Sequence, residues 1–230
     1  MHRFAFFDLD ETLIRCKSLL GCHAVHAGAS ACLPDSDLRG GTGAVRQWLR
    51  DGIERGLDRA DLNREFYRRH FAGVSIAALR MAAHTWHAAL HRHGLYHDAA
   101  CAALEYCRRL GYTPVIVTGS FREVVALLAA ELHVAHFLCA PLAERNGHYT
   151  GLLDGVPMIG QGKRDAVARF LTTHDGDPAA CLGFGDDISD APFLAYLGRA
   201  YYCGPHPAAP PEWVKRQGLS VLADLDQESH

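Results

Sequence analysis

Phe4-Ala5-Phe6-Phe7-Asp8-Leu9-Asp10-Glu11-Thr12-Leu13 is the stretch whose reading decides the fold. From Arg3 to Leu9 the chain is rich in Phe and ends in acidic residues, the pattern of a buried strand with carboxylates at its carboxyl end. Tyr112 to Val117, Ala135 to Cys139, Ala180 to Phe184 and Ala200 to Cys203 repeat the theme, each short, apolar and mostly preceded by an amphipathic stretch. That alternation predicts an α/β architecture, a parallel sheet wrapped by helices.

Around these strands the helix signals are local. Ala99 to Leu110 has apolar residues at helical spacing and stops at Gly111, and Lys163 to Leu171 reads as another helix. Ser120 followed by Glu123 predicts a capping box opening a helix over Phe121 to Leu132. Residues 142–153, with Asn146-Gly147 between short flanks, predict a β-hairpin. Between Ile14 and about His93 the strand signal vanishes. A Gly/Ala/Ser-rich entry, Gly21 to Gly43, precedes three helical patterns near 43–55, 60–71 and 75–92, so an all-helical subdomain is expected after the first strand. Seven arginines from Arg46 to Arg69 alternate there with acidic residues and read as a solvated helix face. The Pro-rich segment Gly204 to Pro211 reads as a late loop.

Composition bounds the function. At 230 residues and 49% hydrophobic the chain buries a core without help, and a formal charge of −3 leaves no overall basic field for nucleic acid or an anionic membrane. No apolar stretch approaches the roughly 18 to 20 residues that cross a bilayer, and the amino-terminal residues do not read as a signal peptide, so a cytoplasmic protein is expected. The eight cysteines form no Cys-x-x-Cys pair and are expected as free thiols. His84, His87 and His91 share one face of a helix, a pattern that without a carboxylate at matching spacing argues weakly for a metal.

Four segments put polar groups where predicted strands end or helices begin: Asp8 to Thr12, Thr118-Gly119-Ser120, Lys163, and Gly185-Asp186-Asp187-Ile188-Ser189-Asp190. Gathered in one crevice, so many carboxylates need a divalent cation and the lysine to neutralise them. Asp8, Asp10 and Asp186 offer hard oxygen ligands suited to Mg²⁺. A carboxylate held beside Lys163 and the Gly119 backbone can attack phosphorus and form an aspartyl phosphate. Asp8 and Asp10 are at i and i+2, so a continuing strand points both the same way, one to attack and the other to protonate the departing alcohol and then to deprotonate water.

The ordered set resembles the haloacid-dehalogenase-like (HAD) hydrolase superfamily, whose first motif Phe7-Asp8-Leu9-Asp10-Glu11-Thr12-Leu13 matches in full. Val117-Thr118-Gly119-Ser120-Phe121 is similar to the second motif, Gly162-Lys163 to the third, and Gly185 to Asp190 to the fourth. The insertion after the first motif resembles the helical cap of the branch containing phosphoserine phosphatase. The resemblance implies a Rossmann-like core over 1–14 and 95–230 and a small all-helical cap over 15–94. It implies Asp8 as nucleophile, Asp10 as general acid and base, Thr118, Gly119, Lys163 and Ser189 at the phosphoryl group, and Mg²⁺ at Asp8, Asp10 and Asp186 with Asp190 in support. It also implies a phosphomonoesterase for a small phosphorylated metabolite, since the superfamily's phosphatases keep the second Asp that its dehalogenases lack.

Lys17 stands where phosphoserine phosphatases carry an acidic residue that meets the substrate ammonium, and Ser189 stands where they usually carry Asn. A cation at 17 favours an anionic group over an amine. From the cap, Tyr67, Arg68 and Arg69 are candidates to reach the leaving group. Phosphoryl transfer to another alcohol, a phosphoaspartate signalling receiver and a catalytically silent binding protein remain alternative readings of the same residues.

Overall fold

The computed structural model describes residues 2–28, 35–91, 94–205 and 207–225. Its centre is β1 (Phe4–Asp8), flanked on one side by β2 (Thr113–Val117) and β3 (His136–Leu138). On the other side lie β6 (Leu182–Gly185), β7 (Arg199–Tyr202) and the short β8 (Ser220–Val221). All pairings are parallel, in the order β3-β2-β1-β6-β7-β8.

β1 is buried along its whole length because both faces are covered. Phe4 and Phe6 pack with Val167, Phe170 and Leu171 of α8 (Gln161–Thr173) and with Phe193 and Leu194 of the short α9 (Ala191–Leu194). Ala5 and Phe7 face the opposite way, with Ala103 and Leu104 of α6 (Asp98–Arg109) and Val124, Val125 and Leu128 of α7 (Arg122–Glu131). Each buried Phe contributes about 1.5–3 kcal/mol. Phe7 also stacks on Phe184 at 4.2 Å, and Phe184 on Tyr201 at 5.0 Å, a ladder across three strands.

The chain leaves the sheet after β1 and returns to it along a single seam. Ile14 pairs antiparallel with Tyr96, the Arg15 amide donates to Leu95 O, and the His97 amide donates to Leu13 O. Between these points lie α1 (Ser18–Gly28), α2 (Asp35–Gly40), α3 (Gly43–Glu54), α4 (Arg59–His70) and α5 (Ile76–His91), with no named strand among the described residues. Leu19, Leu20, Val25, Leu38, Val45, Phe66, Leu79 and Trp86 bury together here, and Trp86 Nε1 donates to Leu38 O at 2.7 Å. Thr42 and Asp58 cap α3 and α4 through side-chain oxygens.

Within the Gly/Ala/Ser-rich entry, the described residues form α1 and α2; residues 29–34 lie outside the described residues. Gly21 serves close packing: a Cβ there would lie 1.9 Å from Leu38 O. The three expected helices fall on α3, α4 and α5. Described thiols are free; Cys32 and His93 lie outside the described residues.

Residues 142–153 form the expected hairpin, β4 (Leu142–Arg145) and β5 (His148–Leu153), with Asn146 at φ 51° and Gly147 at φ 74° in the turn. Beyond the pattern, the turn after α4 joins it: the Gly73 amide donates to Tyr149 O and the Tyr149 amide to Val74 O. The Ser120–Glu123 capping box does not form. α7 begins after Phe121 with no side-chain cap, because Glu123 accepts from Tyr149 Oη at 2.6 Å and Ser120 is engaged with Ser18. The segment after the Pro-rich loop adds α10 (Glu212–Gln217) and β8, which the strand and helix patterns did not single out.

Candidate active site

The carboxyl ends of β1, β2 and β6 meet the first turn of α8 at the floor of a cleft of about 590 Å³. Asp8, Asp10, Thr118, Gly119, Lys163, Asp186, Ser189 and Asp190 all line it. Lys17, Arg39, Arg46, Arg50 and Arg59 line the wall that the helical insertion contributes.

Asp8 is the last residue of β1 and is buried, and Lys163 Nζ donates to its Oδ1 at 2.5 Å and to Asp190 Oδ1 at 2.6 Å. The other Asp190 oxygen accepts the Asp186 and Asp187 amides, both at 3.3 Å, so Asp190 ties the lysine to the loop after β6. Asp186 Oδ1 accepts from Thr12 Oγ1 at 2.9 Å, which links that loop back to the segment after β1.

Carboxylate oxygens of Asp8, Asp186 and Asp190 lie within 4.8 Å of one another. Burial, with Asp190 and Asp186 nearby, holds the Asp8 carboxyl well above its ordinary value although Lys163 pulls it down. Burial and the Asp190 charge push Asp186 up to about 7. Burial opposes the charge on Lys163, but Asp190 and Asp8 together outweigh it and raise its pKa. One ammonium among three carboxylates leaves negative charge uncompensated, and an all-oxygen donor set is the kind that Mg²⁺ takes. The residues therefore fit a hard divalent cation.

β1 ends at Asp8, so Asp10 does not continue the strand alternation expected for it. The chain turns instead, with Glu11 at φ 67° and the Leu13 and Ile14 amides both on Leu9 O. Asp10 Oδ1 accepts the Ser18 amide at 3.0 Å, at the amino-terminal end of α1. Burial raises its pKa despite that bond. Ser18 Oγ donates to Ser120 Oγ at 2.8 Å and the Ser120 amide to Thr118 Oγ1 at 3.1 Å, which leaves the Thr118 hydroxyl proton free to point into the cleft.

Gly119 sits where space is short: a Cβ would lie 2.8 Å from Ile159 Cδ1. Its carbonyl accepts from Tyr67 Oη at 2.8 Å and Asn63 Nδ2 at 3.3 Å, both on α4. Tyr67 thus touches the Gly119 backbone from a buried position, and none of Tyr67, Arg68 and Arg69 lines the cleft. Both arginines pair with Glu65 on the exposed side of α4, where Arg69 also lies over the Trp48 ring. Lys17 pairs with Glu11 at 2.5 Å, and Ser189 donates its amide to Asp187 Oδ1.

Several contributors carried no signal of their own in the sequence. Ser18, Asn63, and the Arg59–Asp187 pair at 2.8 Å between α4 and the loop after β6 are ordinary polar residues until the fold brings them together.

The architecture and its carboxylate-lined cleft belong to a family. A profile for haloacid dehalogenase-like hydrolases matches residues 5–195, so the chain is a member of that family. Among curated proteins, a phosphoserine phosphatase of Lactococcus lactis subsp. lactis (strain IL1403) is 26% identical over 132 residues, which is 56% of this chain and 61% of that protein. The match thus spans about three fifths of the relative's length. Among solved structures, a protein with unknown function from Bordetella pertussis Tohama I superposes at TM-score 0.77 with 22% identity, covering 96% of this chain and 98% of that one. A substrate-bound phosphoserine phosphatase superposes at TM-score 0.66 with 15% identity, over 96% of this chain and 93% of that one. These structures share the fold. No helix among the described residues is long and apolar enough to cross a membrane.

Proposed function

We propose that the protein is a Mg²⁺-dependent phosphomonoesterase that hydrolyses a small phosphorylated metabolite through an aspartyl phosphate on Asp8, with residues 15–94 acting as its cap. The observation that carries this reading is the buried Asp8 carboxylate at the end of β1, held 2.5 Å from Lys163 Nζ and open to the cleft.

Asp8 Oδ attacks phosphorus while the bond to the alcohol oxygen breaks, and Asp10 supplies the proton that oxygen needs. Its raised pKa favours the protonated acid before the transfer. Thr118 Oγ, the Gly119 amide and Lys163 Nζ face the transferring oxygens, with Ser189 beside them, and stabilise the charge those oxygens carry. Asp10, now ionised, takes a proton from water, which then attacks the phosphoaspartate and restores Asp8. A Mg²⁺ held by Asp8, the Asp10 carbonyl and Asp186, with Asp190 in support, would neutralise negative charge on the phosphoryl group. Asp190 serves chiefly by positioning Lys163, since both its oxygens already accept hydrogen bonds.

The alcohol moiety faces the insertion. Arg39, Arg46, Arg50 and Arg59 on that wall, among Leu49, Ile53 and Leu62, favour a leaving group that carries a second anionic function. Lys17 is held by Glu11, Arg39 by Asp35, Arg46 by Asp37 and Arg59 by Asp187, which tempers each field; the substrate preference therefore rests on the wall as a whole.

The test is phosphate release from p-nitrophenyl phosphate and a panel comprising phosphoserine, sugar phosphates, glycerol phosphates and nucleoside monophosphates, with and without Mg²⁺. Hydrolysis that requires Mg²⁺ and disappears in Asp8→Asn supports the reading. Release from none of the panel, or full activity in Asp8→Asn, overturns it.

A further inference from the structure

A second group of ligand-capable side chains lies away from the cleft, where the helical insertion packs on the sheet layer. His87 and His91 are four residues apart on α5 and both reach Glu131, the last residue of α7. His87 Nε2 lies 2.5 Å from Glu131 Oε2 and His91 Nε2 lies 2.7 Å from Glu131 Oε1. Tyr96, at the seam where the chain returns to the sheet, donates its hydroxyl to Glu131 Oε2 at 2.6 Å. One ligand atom from each of His87, His91 and Glu131 falls within 4.8 Å of the others, and His84 stands apart, exposed.

We propose that His87, His91 and Glu131 form a Zn²⁺ site that joins α5 of the insertion to α7 of the sheet layer. Its chemistry differs from that of the cleft. Two of its three donors are imidazole nitrogens, which suit Zn²⁺ and its transition-metal neighbours and not Mg²⁺. Histidines at i and i+4 present their rings on one helical face, and the third ligand comes from a different element, so the site exists only when α5 and α7 are docked. Three protein ligands leave a fourth position for water. The half-exposed His91 side chain, 53% accessible against 18% for His87, leaves a route for the ion to enter. Tyr96 orients the carboxylate from behind, as an outer partner does at a metal centre.

The test uses the full chain stripped of metal and then held in saturating Mg²⁺, which keeps the acidic cleft occupied. Zn²⁺ binding is followed by calorimetry, and the ligand type is read from the absorption of Co²⁺ put in its place. One equivalent is expected to bind, with a nitrogen and oxygen ligand spectrum, and to raise the Tm. His87→Gln/His91→Gln should abolish both the equivalent and the Tm rise while retaining the metal-free circular dichroism spectrum. Should that double variant fold poorly, Glu131→Gln, which retains the shape, and Tyr96→Phe should each weaken Zn²⁺ by about tenfold or more. Three results would overturn the site: no saturable binding, which would leave a polar latch only; unchanged affinity in all the variants; or a thiolate charge-transfer band that puts the ion on cysteines.

Discussion

Asp190 accepts a hydrogen bond from Lys163 Nζ at 2.6 Å, and the same ammonium reaches Asp8 Oδ1 at 2.5 Å. The lysine is therefore held from behind as well as aimed. Asp190→Asn removes the charge that anchors it and should lower kcat by about 10- to 100-fold, the usual effect of losing an outer partner. Asp190→Ala should in addition destabilise the fold by about 3–5 kcal/mol, because Lys163 loses a buried partner and two loop amides lose their acceptor. Steady-state kinetics and urea unfolding check the pair; a wild-type kcat in both variants would remove Asp190 from the site.

Asp8→Asn should separate activity from stability. Hydrolysis should fall by about 10⁴-fold or more with the proposed nucleophile gone. The Tm should hold or rise, because burial and the charges on Asp190 and Asp186 make ionised Asp8 costly in the folded state. A large loss of Tm would contradict the electrostatic account.

Asp186 gives a pH dependence with a definite sign. Its ordinary value is 3.8 and the folded value is about 7, so between those limits the unfolded chain has released a proton that the folded chain retains. Metal-free stability should therefore fall as pH rises from about 4 to about 7 through this group, and level off above. A Mg²⁺ held by Asp186, as proposed, would have to displace that proton, so the Tm gain on adding Mg²⁺ should grow between about pH 6 and pH 8. Scanning fluorimetry across that range decides it, and an equal gain at both ends would refute the assignment.

Gly119→Ala probes the loop after β2. The new methyl would meet Ile159 Cδ1 at 2.8 Å, a side-chain end that can turn aside, and Met158 O at 3.3 Å, which should cost about 1 kcal/mol and shift the amide proposed to face the phosphoryl group. Activity should fall about tenfold or more, since misplacement of about 1 Å at a reacting centre costs up to about 10²-fold.

Tyr67→Phe tests how the insertion supports the same loop. Removing the hydroxyl leaves Gly119 O with Asn63 alone and should cost about 1 kcal/mol. If the contact positions the loop, kcat should fall more than KM rises; a change in stability with intact kinetics would make Tyr67 a packing residue only.

The amino acids by themselves determined five of the six strands and the chemistry available at their ends. The buried run over Phe4 to Asp8, the shorter apolar runs after it and the Asn146-Gly147 turn are local patterns, because strand burial on two faces and positive φ each demand particular residue types. Tertiary structure alone decided which polar group meets which. Ser120 and Glu123 had the spacing of a cap, yet Ser18 and Tyr149, each far along the chain, hold them instead. Gly21 belongs to a stretch notable in sequence only for its composition, and the fold uses it to let α1 approach Leu38 O. Arg68 and Arg69 stood beside Tyr67 in sequence, and helix geometry turned them to Glu65 and solvent while Tyr67 went to Gly119. Glu131, 40 residues beyond His91, completes the histidine pair only across the docked helices. A backbone pattern is written in residues a few positions apart; a hydrogen bond between distant side chains depends on where the whole chain puts them.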